Sequence, residues 1–78
     1  MNRRELILAT SFNKKAIEES IECGCYTCIS IHQPEHIKEY TDDESAVCPN
    51  CFQVTVIPGE AEGSVEYDYL EYLNEHFI

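Results

Sequence analysis

The first third of the chain places apolar residues at helical spacing among polar ones. Residues 1–12 hold a short aliphatic run, which favours a helix over a strand. Asn13 is a good N-cap residue, and residues 14–22 after it carry Ile17 and Ile21 four positions apart. Because positions four apart share one face of a helix, we expect a second helix that packs through these two isoleucines.

The middle of the chain predicts short strands. Gly24 stands where a glycine beyond the last helical residue would end the second helix, and residues 28–31 then alternate as a strand does. Residues 34–40 begin with proline, which favours a helical turn. Residues 52–57 are rich in strand-forming types, and residues 60–63 are expected to form a loop. One face of this second strand would hold Phe52, Val54 and Val56.

The C-terminal segment has the pattern of an amphipathic helix. We expect the helix over residues 64–78, with Ser64 as its N-cap. Leu70, Leu73 and Phe77 mark one face at helical spacing. This face should close over the strands.

Two cysteine pairs are the strongest chemical signal in the chain. Two residues separate Cys25 from Cys28 and Cys48 from Cys51, and 19 residues lie between the pairs. Such spacing lets a tight turn aim both sulfurs at one point, and Pro49 pre-sets the backbone of the second turn. Two turns facing each other provide tetrahedral coordination by four thiolates. The spacing therefore predicts one structural zinc ion, Zn²⁺, bound by these four cysteines.

Other residues near these pairs offer alternative chemistry. Cys23 could replace a ligand, but a single intervening residue fits the turn less well, so a buried cysteine at a helix end is favoured. His32 and His36 are four apart with a proline between them, and we expect them to be solvated or capping residues. Iron stays open because four thiolates suit both metals. Against iron, Ile29 and Phe52 stand where iron-binding turns usually carry glycine.

Length and composition favour one small domain stapled by a metal. The chain has 78 residues and is 44% apolar, which leaves only a modest core. We predict an α+β fold, a small zinc ribbon with two Cys-x2-Cys knuckles on short antiparallel strands and flanking N- and C-terminal helices. In this single domain, 1–78, residues 1–24 form the N-terminal helical segment, 25–57 the ribbon and 64–78 the C-terminal helix.

Cysteine usage and charge argue against several classes of function. Five cysteines is an odd number and no secretory signal is evident, so we expect metal binding in a reducing, cytoplasmic environment rather than disulfides. No stretch has the length of a membrane span. Nucleic-acid binding needs a basic face, whereas the net charge is −10. Four thiolates close the coordination shell of a metal, so we do not expect an enzyme.

The negative charge is concentrated in the second part of the chain. Residues 1–34 are neutral, whereas residues 35–78 carry eleven acidic residues against one lysine. Tyrosines lie among these acids, and tyrosine is enriched in interfaces. The expected partner surface comprises Asp42, Asp43, Glu44, Glu66, Tyr69, Glu71 and Tyr72. We predict a non-enzymatic protein-interaction module that contacts a basic protein, such as an immunity or antitoxin-like protein that neutralises a basic toxin. A zinc- or redox-responsive regulator is the alternative.

Several short motifs together resemble one protein family. They are Cys23-Gly-Cys-Tyr-Thr-Cys28, Glu35-His-Ile-Lys-Glu-Tyr40 and Ala46-Val-Cys-Pro-Asn-Cys51. In these motifs the chain resembles short bacterial zinc-ribbon-like proteins that are described only as cytoplasmic proteins of unknown function. The resemblance covers over half of the chain and implies an intracellular bacterial ribbon with a helix on each side, and no known activity. Members typically have Trp in place of Tyr40 and Gly in place of Phe52, so the second turn has to tolerate a bulky residue.

Overall fold

A three-stranded sheet with helices packed on it forms the centre of the molecule. The computed structural model describes residues 2–59 and 65–78. Its elements are α1 (Arg3–Ala9), α2 (Lys14–Glu18), β1 (Cys23–Cys25), β2 (Ser30–His32), a 3₁₀ turn (Pro34–His36), β3 (Val56–Pro58) and α3 (Tyr67–Phe77). This architecture confirms the prediction of a small α+β fold with antiparallel strands. The predicted loop over residues 60–63 and the predicted N-cap Ser64 lie outside the described residues.

The strand β1 lies in the middle of the sheet, and β2 and β3 both pair with it in antiparallel fashion. Cys25 pairs with Ser30 on one side and with Val56 on the other. Because successive side chains of a strand point to opposite faces, Cys23 and Cys25 share one face and Gly24 belongs to the other.

Each face of the sheet has its own apolar cluster. The cysteine-side cluster consists of Ile17, Cys23, Cys25, Ile37, Ala46, Cys48 and Val56. The helix-side cluster consists of Leu6, Ile57, Val65, Leu70 and Leu73. The strands thus separate the cysteine turns from the packing of α3.

The first helix confirms the sequence prediction, and the second is shorter than predicted. In α1 the side chain of Asn2 accepts a hydrogen bond from the Glu5 N–H at 2.8 Å, and the Glu5 carboxylate accepts one from the Asn2 N–H at 3.1 Å. This reciprocal pair caps the helix. In α2, Ile17 is fully buried but Ile21 is 63% exposed, so the predicted shared face is wrong. The helix ends at Glu18, and the chain enters the central strand at Cys23.

Gly24 was predicted to end a helix, and this prediction is wrong. It lies in the middle of β1, where a Cβ atom would be 2.9 Å from Leu70 Cδ1 and 2.9 Å from Val65 Cγ1. These distances are shorter than a carbon–carbon contact allows. Glycine is needed here because α3 lies directly against the sheet.

Both predicted strands begin later than expected. The residue after each cysteine pair, Ile29 or Phe52, has a positive φ of 52° or 62°. The left-handed residue turns the chain, and the strands start after it, at Ser30 and at Val56. Of the face predicted for the second strand, only Val56 is buried, whereas Phe52 and Val54 are exposed.

The helical turn predicted over residues 34–40 is limited to Pro34–His36. The chain then becomes extended, and Tyr40 forms an isolated antiparallel bridge with Ala46. Ile37 is buried and Tyr40 packs against the cysteine-side cluster, so this segment covers the cysteine-side face of the sheet.

Asn13 precedes α2, as predicted, but its side chain does not cap the helix. It is buried and joins three segments instead. Its Nδ2 donates to the carbonyl groups of Ala9 at 2.9 Å and Val56 at 2.8 Å, and its Oδ1 accepts from the Ala46 N–H at 3.0 Å. This side chain therefore holds β3 and the segment before the second cysteine turn against the connection between α1 and α2.

The amphipathic pattern of α3 is confirmed, but the helix begins at Tyr67 with Glu66 as its N-cap, later than the predicted start at residue 64. Leu70 and Leu73 are fully buried, and Phe77 packs against the same helix-side cluster. The Asn74 Nδ2 donates to the Tyr26 carbonyl at 3.0 Å, which ties the helix to the first cysteine turn. Among the helices in the two described ranges, none is both long and apolar enough to cross a membrane.

Candidate metal centre

The first cysteine turn connects β1 with β2. Cys25 is the last residue of β1, and Cys28 comes two residues before β2 begins. The pairing of β1 with β2 therefore brings both sulfurs to the same end of the sheet. The left-handed conformation of Ile29 completes the turn and directs the chain into β2.

The second cysteine turn directs backbone N–H groups at one of its own sulfurs. The N–H groups of Asn50 and Cys51 donate to the Cys48 sulfur at 3.3 and 3.5 Å. The Phe52 N–H donates to the Cys48 carbonyl at 2.9 Å, which closes the turn. N–H groups aimed at a sulfur stabilise its negative charge, so this turn is built for a thiolate.

The two turns bring the four predicted cysteines together. The sulfurs of Cys25, Cys28, Cys48 and Cys51 all lie within 4.8 Å of one another. Across the turns, the Cys25 and Cys51 sulfurs are 3.5 Å apart and those of Cys28 and Cys48 are 3.6 Å apart. Four thiolates at about 2.3 Å from one ion would be about 3.8 Å apart in a tetrahedron. The donor set and its spacing fit a four-coordinate metal ion.

Two hydroxyl groups contact the candidate ligands from outside. The Thr55 hydroxyl is 3.2 Å from the Cys25 sulfur, and the Ser30 hydroxyl is 3.0 Å from the Cys28 sulfur. His32 Nε2 is 2.8 Å from the Ser30 hydroxyl, and burial lowers the pKa of this histidine. Such outer contacts orient ligands and balance their charge.

Sequence reasoning missed these hydroxyl groups. Ser30 follows Cys28 by two positions, a spacing that could have been noticed. Thr55 approaches Cys25 only because β3 pairs with β1, and no local pattern indicates that contact. His32 was expected to be solvated or capping, yet it is half-buried, and its Nε2 lies 2.8 Å from the Ser30 hydroxyl and 3.9 Å from the Cys48 sulfur.

Three of the candidate ligands, Cys25, Cys28 and Cys51, have shifted pKa values. Burial raises the pKa of Cys25, and burial together with neighbouring sulfurs raises the pKa of Cys51 to about 12. Burial also disfavours the Cys28 thiolate, but hydrogen bonds from Asn50 and Ser30 outweigh it and lower the pKa of Cys28 to about 7. A metal ion that binds here has to displace protons from at least Cys25 and Cys51.

The fifth cysteine, Cys23, lies outside this group. It was predicted to be buried at a helix end; it is buried, but within β1. Its sulfur is 3.5 Å from the His32 carbonyl, and burial raises its pKa to about 12. These features describe a protonated packing thiol beside the candidate metal centre.

The residues of the predicted partner surface fall into two separate places. Asp42, Asp43 and Glu44 form an exposed turn just before Ala46, which belongs to the cysteine-side cluster. In this acidic turn, the Thr41 and Ser45 hydroxyls both donate to the Asp43 carboxylate. The Glu44 carbonyl accepts from the Lys14 N–H at 3.1 Å. This part of the predicted surface therefore also has a structural role.

The remaining predicted partner residues lie at α3, on the opposite side of the sheet. Glu66 is the exposed N-cap of the helix, and Glu71 and Tyr72 are exposed along it. Tyr69 is half-buried, and its ring stacks on Tyr72 with centroids 6.5 Å apart. The outer face of α3 consists of the exposed residues Asp68, Glu71, Tyr72 and Glu75, spaced three and four positions apart.

Comparisons of the chain with models of protein families, with curated proteins and with solved structures each found no match.

Proposed function

We propose that this chain is a zinc ribbon that serves as a non-enzymatic protein-interaction module. The convergence of four cysteine sulfurs within 4.8 Å carries the metal part of the proposal. Thiolates favour zinc or iron among the common metals, and the bulky Ile29 and Phe52 after the pairs favour zinc. Four protein ligands complete a tetrahedral shell and leave no position for a substrate, which supports a structural role for the ion.

The outer face of α3 supports the interaction part of the proposal. It presents three carboxylates, Asp68, Glu71 and Glu75, around the ring of Tyr72, which is 42% exposed. The His76 ring packs against one side of the Tyr72 ring, and the two ring centroids are 4.1 Å apart. A tyrosine surrounded by acids suits the side chains of arginine and lysine, through charge and through contact with the aromatic face. The partner is therefore a basic protein.

The sharpest form of the proposal is an immunity or antitoxin-like protein that neutralises a basic toxin such as a nuclease. The net charge of −10 would steer a basic partner toward the chain and speed association. A metal-stapled scaffold keeps α3 in one orientation before the partner arrives, which lowers the entropy lost on binding.

Native mass spectrometry on the tagged full chain, captured from its own cells at low salt, tests this proposal. We expect one zinc ion per chain and a stoichiometric basic protein. The variant Glu71→Lys/Glu75→Lys should lose that protein because it reverses charge on the outer face of α3. The matched control Glu19→Lys/Glu35→Lys makes the same change in net charge at exposed positions outside the predicted partner surface and should keep it.

Each result bears on a different part of the proposal. A chain with no metal would overturn the zinc ribbon. Zinc without a partner, or a partner that the α3 variant retains as well as the control does, would reject docking through α3 while leaving the ribbon in place.

A second candidate is a zinc- or redox-responsive regulator, and one observation favours it. Cys28 and Cys51 are only partly buried, whereas Cys25 and Cys48 are fully buried, so an oxidant can reach two of the four sulfurs. A regulator should lose zinc to mild peroxide or a weak chelator within minutes. A structural site should retain zinc under the same treatment, as followed with a chromogenic zinc indicator.

A further inference from the structure

The exposed face of α1 combines positive charge with apolar side chains. Arg3 and Arg4 lie four positions before Ile7 and Leu8, so the four side chains share one side of the helix. Ile7 is 57% exposed and Leu8 is 69% exposed. These four residues together line one shallow, open depression on the surface. In a chain with 15 acidic and five basic residues, this is an unusual surface.

The outer face of α3 has the complementary character. It carries Asp68, Glu71 and Glu75 around Tyr72 and has no lysine or arginine. Two arginines with two aliphatic side chains on α1 therefore match three carboxylates with one aromatic ring on α3. Complementary charges of this kind select a partner and its orientation.

The two faces also have suitable positions in the fold. Leu6 of α1 and Leu70 and Leu73 of α3 are buried in the same helix-side cluster, so the two helices lie on the same side of the sheet. A two-fold axis between the helices would place α1 of each copy against α3 of the other. Because such an interface closes on itself, it forms a dimer and not an open chain.

We propose that this chain forms a two-fold homodimer in which the basic, apolar face of α1 packs on the outer face of α3 of a second copy. The exposed apolar side chains of α1 become buried in the dimer, and each arginine pair meets acids of the partner. Repulsion between two chains of charge −10 is screened beyond about 8 Å at physiological salt, whereas the contacts across the interface are shorter.

The dimer shares α3 with the proposed docking of a basic protein, so a partner of that kind would have to displace the second copy. The dimer does not depend on such a partner. Its test uses the chain alone, so either proposal can fail without the other.

Sedimentation equilibrium of the full chain as purified, at about 100 µM, tests the dimer, because micromolar affinity gives mostly dimer at that concentration. We expect wild type to be dimeric. Arg3→Glu/Arg4→Glu and Glu71→Arg/Glu75→Arg should each weaken dimerisation by about tenfold or more, because both interfaces become repulsive. The second variant moves the net charge toward zero, so general repulsion cannot explain its loss. Lys15→Glu/Lys38→Glu, at exposed positions elsewhere, is the control and should stay dimeric.

An equimolar mixture of the two charge-reversed variants provides the decisive measurement. In the mixed dimer, the native α1 of one chain meets the native α3 of the other. At the second contact, the acidic α1 of one variant meets the basic α3 of the other variant. Both contacts are attractive, so a heterodimer should form. Native mass spectrometry separates it from the homodimers by mass, and far-UV circular dichroism checks that each variant is folded. A monomeric wild type, or a mixture that forms no heterodimer, would overturn the proposal.

Discussion

At the scale of single residues, Phe52 combines a left-handed backbone conformation with an exposed side chain beside the candidate metal centre. Its φ is 62° and its ring is 71% exposed. The left-handed region disfavours a residue with a Cβ by about 1–2 kcal/mol, although glycine loses more entropy on folding. We expect Phe52→Gly to raise the free energy of unfolding by about 0.5–1 kcal/mol. Denaturant unfolding at a fixed excess of zinc measures this change.

Ile29→Gly is the matched control for this prediction. Ile29 has the same kind of conformation, with φ at 52°, but its side chain packs against the helix-side cluster. The packing that is lost should cancel the relief of backbone strain. A decrease in stability for Phe52→Gly would show that the exposed ring contributes more than its conformation costs.

Thr55 is the residue through which β3 influences the candidate metal centre. Its hydroxyl is 3.2 Å from the Cys25 sulfur and 2.8 Å from the Thr27 hydroxyl. Thr55→Val keeps the shape and removes both contacts, and we expect metal to be held about tenfold less tightly. Competition against a chromogenic chelator measures the affinity. Thr10→Val is the control, because its hydroxyl donates to the Leu6 and Ile7 carbonyl groups of α1, and it should leave the affinity unchanged.

Asn13 has three hydrogen bonds to backbone groups and is only 4% exposed. Asn13→Ala leaves those groups without partners, and each buried polar group without a partner is unfavourable by about 1–3 kcal/mol. We expect a loss of about 3 kcal/mol in the free energy of unfolding. Asn2→Ala, which removes an exposed helix cap, should lose only about 1 kcal/mol. Equal losses in thermal or denaturant unfolding would contradict the bridging role of Asn13.

At the scale of elements, the contact between α3 and β1 depends on a missing side chain. A Cβ at Gly24 would lie 2.9 Å from Leu70 Cδ1, and Leu70 is fully buried between α3 and the sheet. We expect Gly24→Ala to lower the free energy of unfolding by about 1–3 kcal/mol, because overpacking pushes α3 away from the sheet. Denaturant unfolding measures the loss.

The double variant Gly24→Ala/Leu70→Ala identifies the cause. Leu70→Ala alone should lower stability by about 2–5 kcal/mol because it leaves a cavity. In the double variant the new methyl group occupies part of that cavity. The loss of stability in the double variant should therefore be smaller than the sum of the losses in the two single variants. Strictly additive losses would mean that the added methyl group does not meet Leu70.

At the scale of the whole molecule, the two cysteine turns join segments that are distant in sequence. The sulfurs of Cys25 and Cys51 are 3.5 Å apart, although the two residues are 26 positions apart in sequence. The centre therefore joins the end of β1 to the segment before β3. Metal removal leaves a small core to hold these segments, so we expect a strong chelator to abolish cooperative unfolding as seen by circular dichroism. Full refolding on addition of zinc is the matching control, and an apo chain that unfolds cooperatively would contradict the prediction.

The pH dependence of metal binding follows from the thiols. The pKa values of Cys25 and Cys51 are raised, and that of Cys51 is about 12, so both are protonated at neutral pH unless a metal displaces the protons. The apparent affinity should therefore rise with pH and fall on acidification, and Cys28, with a pKa of about 7, should add to the loss below neutrality. Proton release on zinc addition, titrated in weakly buffered solution, measures this coupling.

What the sequence by itself determined is what depends on neighbouring residues. Helix periodicity and turn geometry are local, because they depend on residues within a few positions of one another. They determine the helix α1, the inward face of α3 and the two cysteine turns. The convergence of the turns could be expected from the chemistry of four thiolates. The hairpin of β1 and β2 then positions one pair.

Only the tertiary structure decided the features that depend on segments meeting across the sheet. Gly24 is needed because Leu70 packs on β1, and Asn13 is buried because β3 and Ala46 lie beside it. The hydroxyl of Thr55 reaches Cys25 through strand pairing. The residues of the predicted partner surface, which look like one group in composition, are divided between the acidic turn and α3 because the sheet lies between them. Their sequence positions contain no information about that division, which is why charge counting alone predicted one surface.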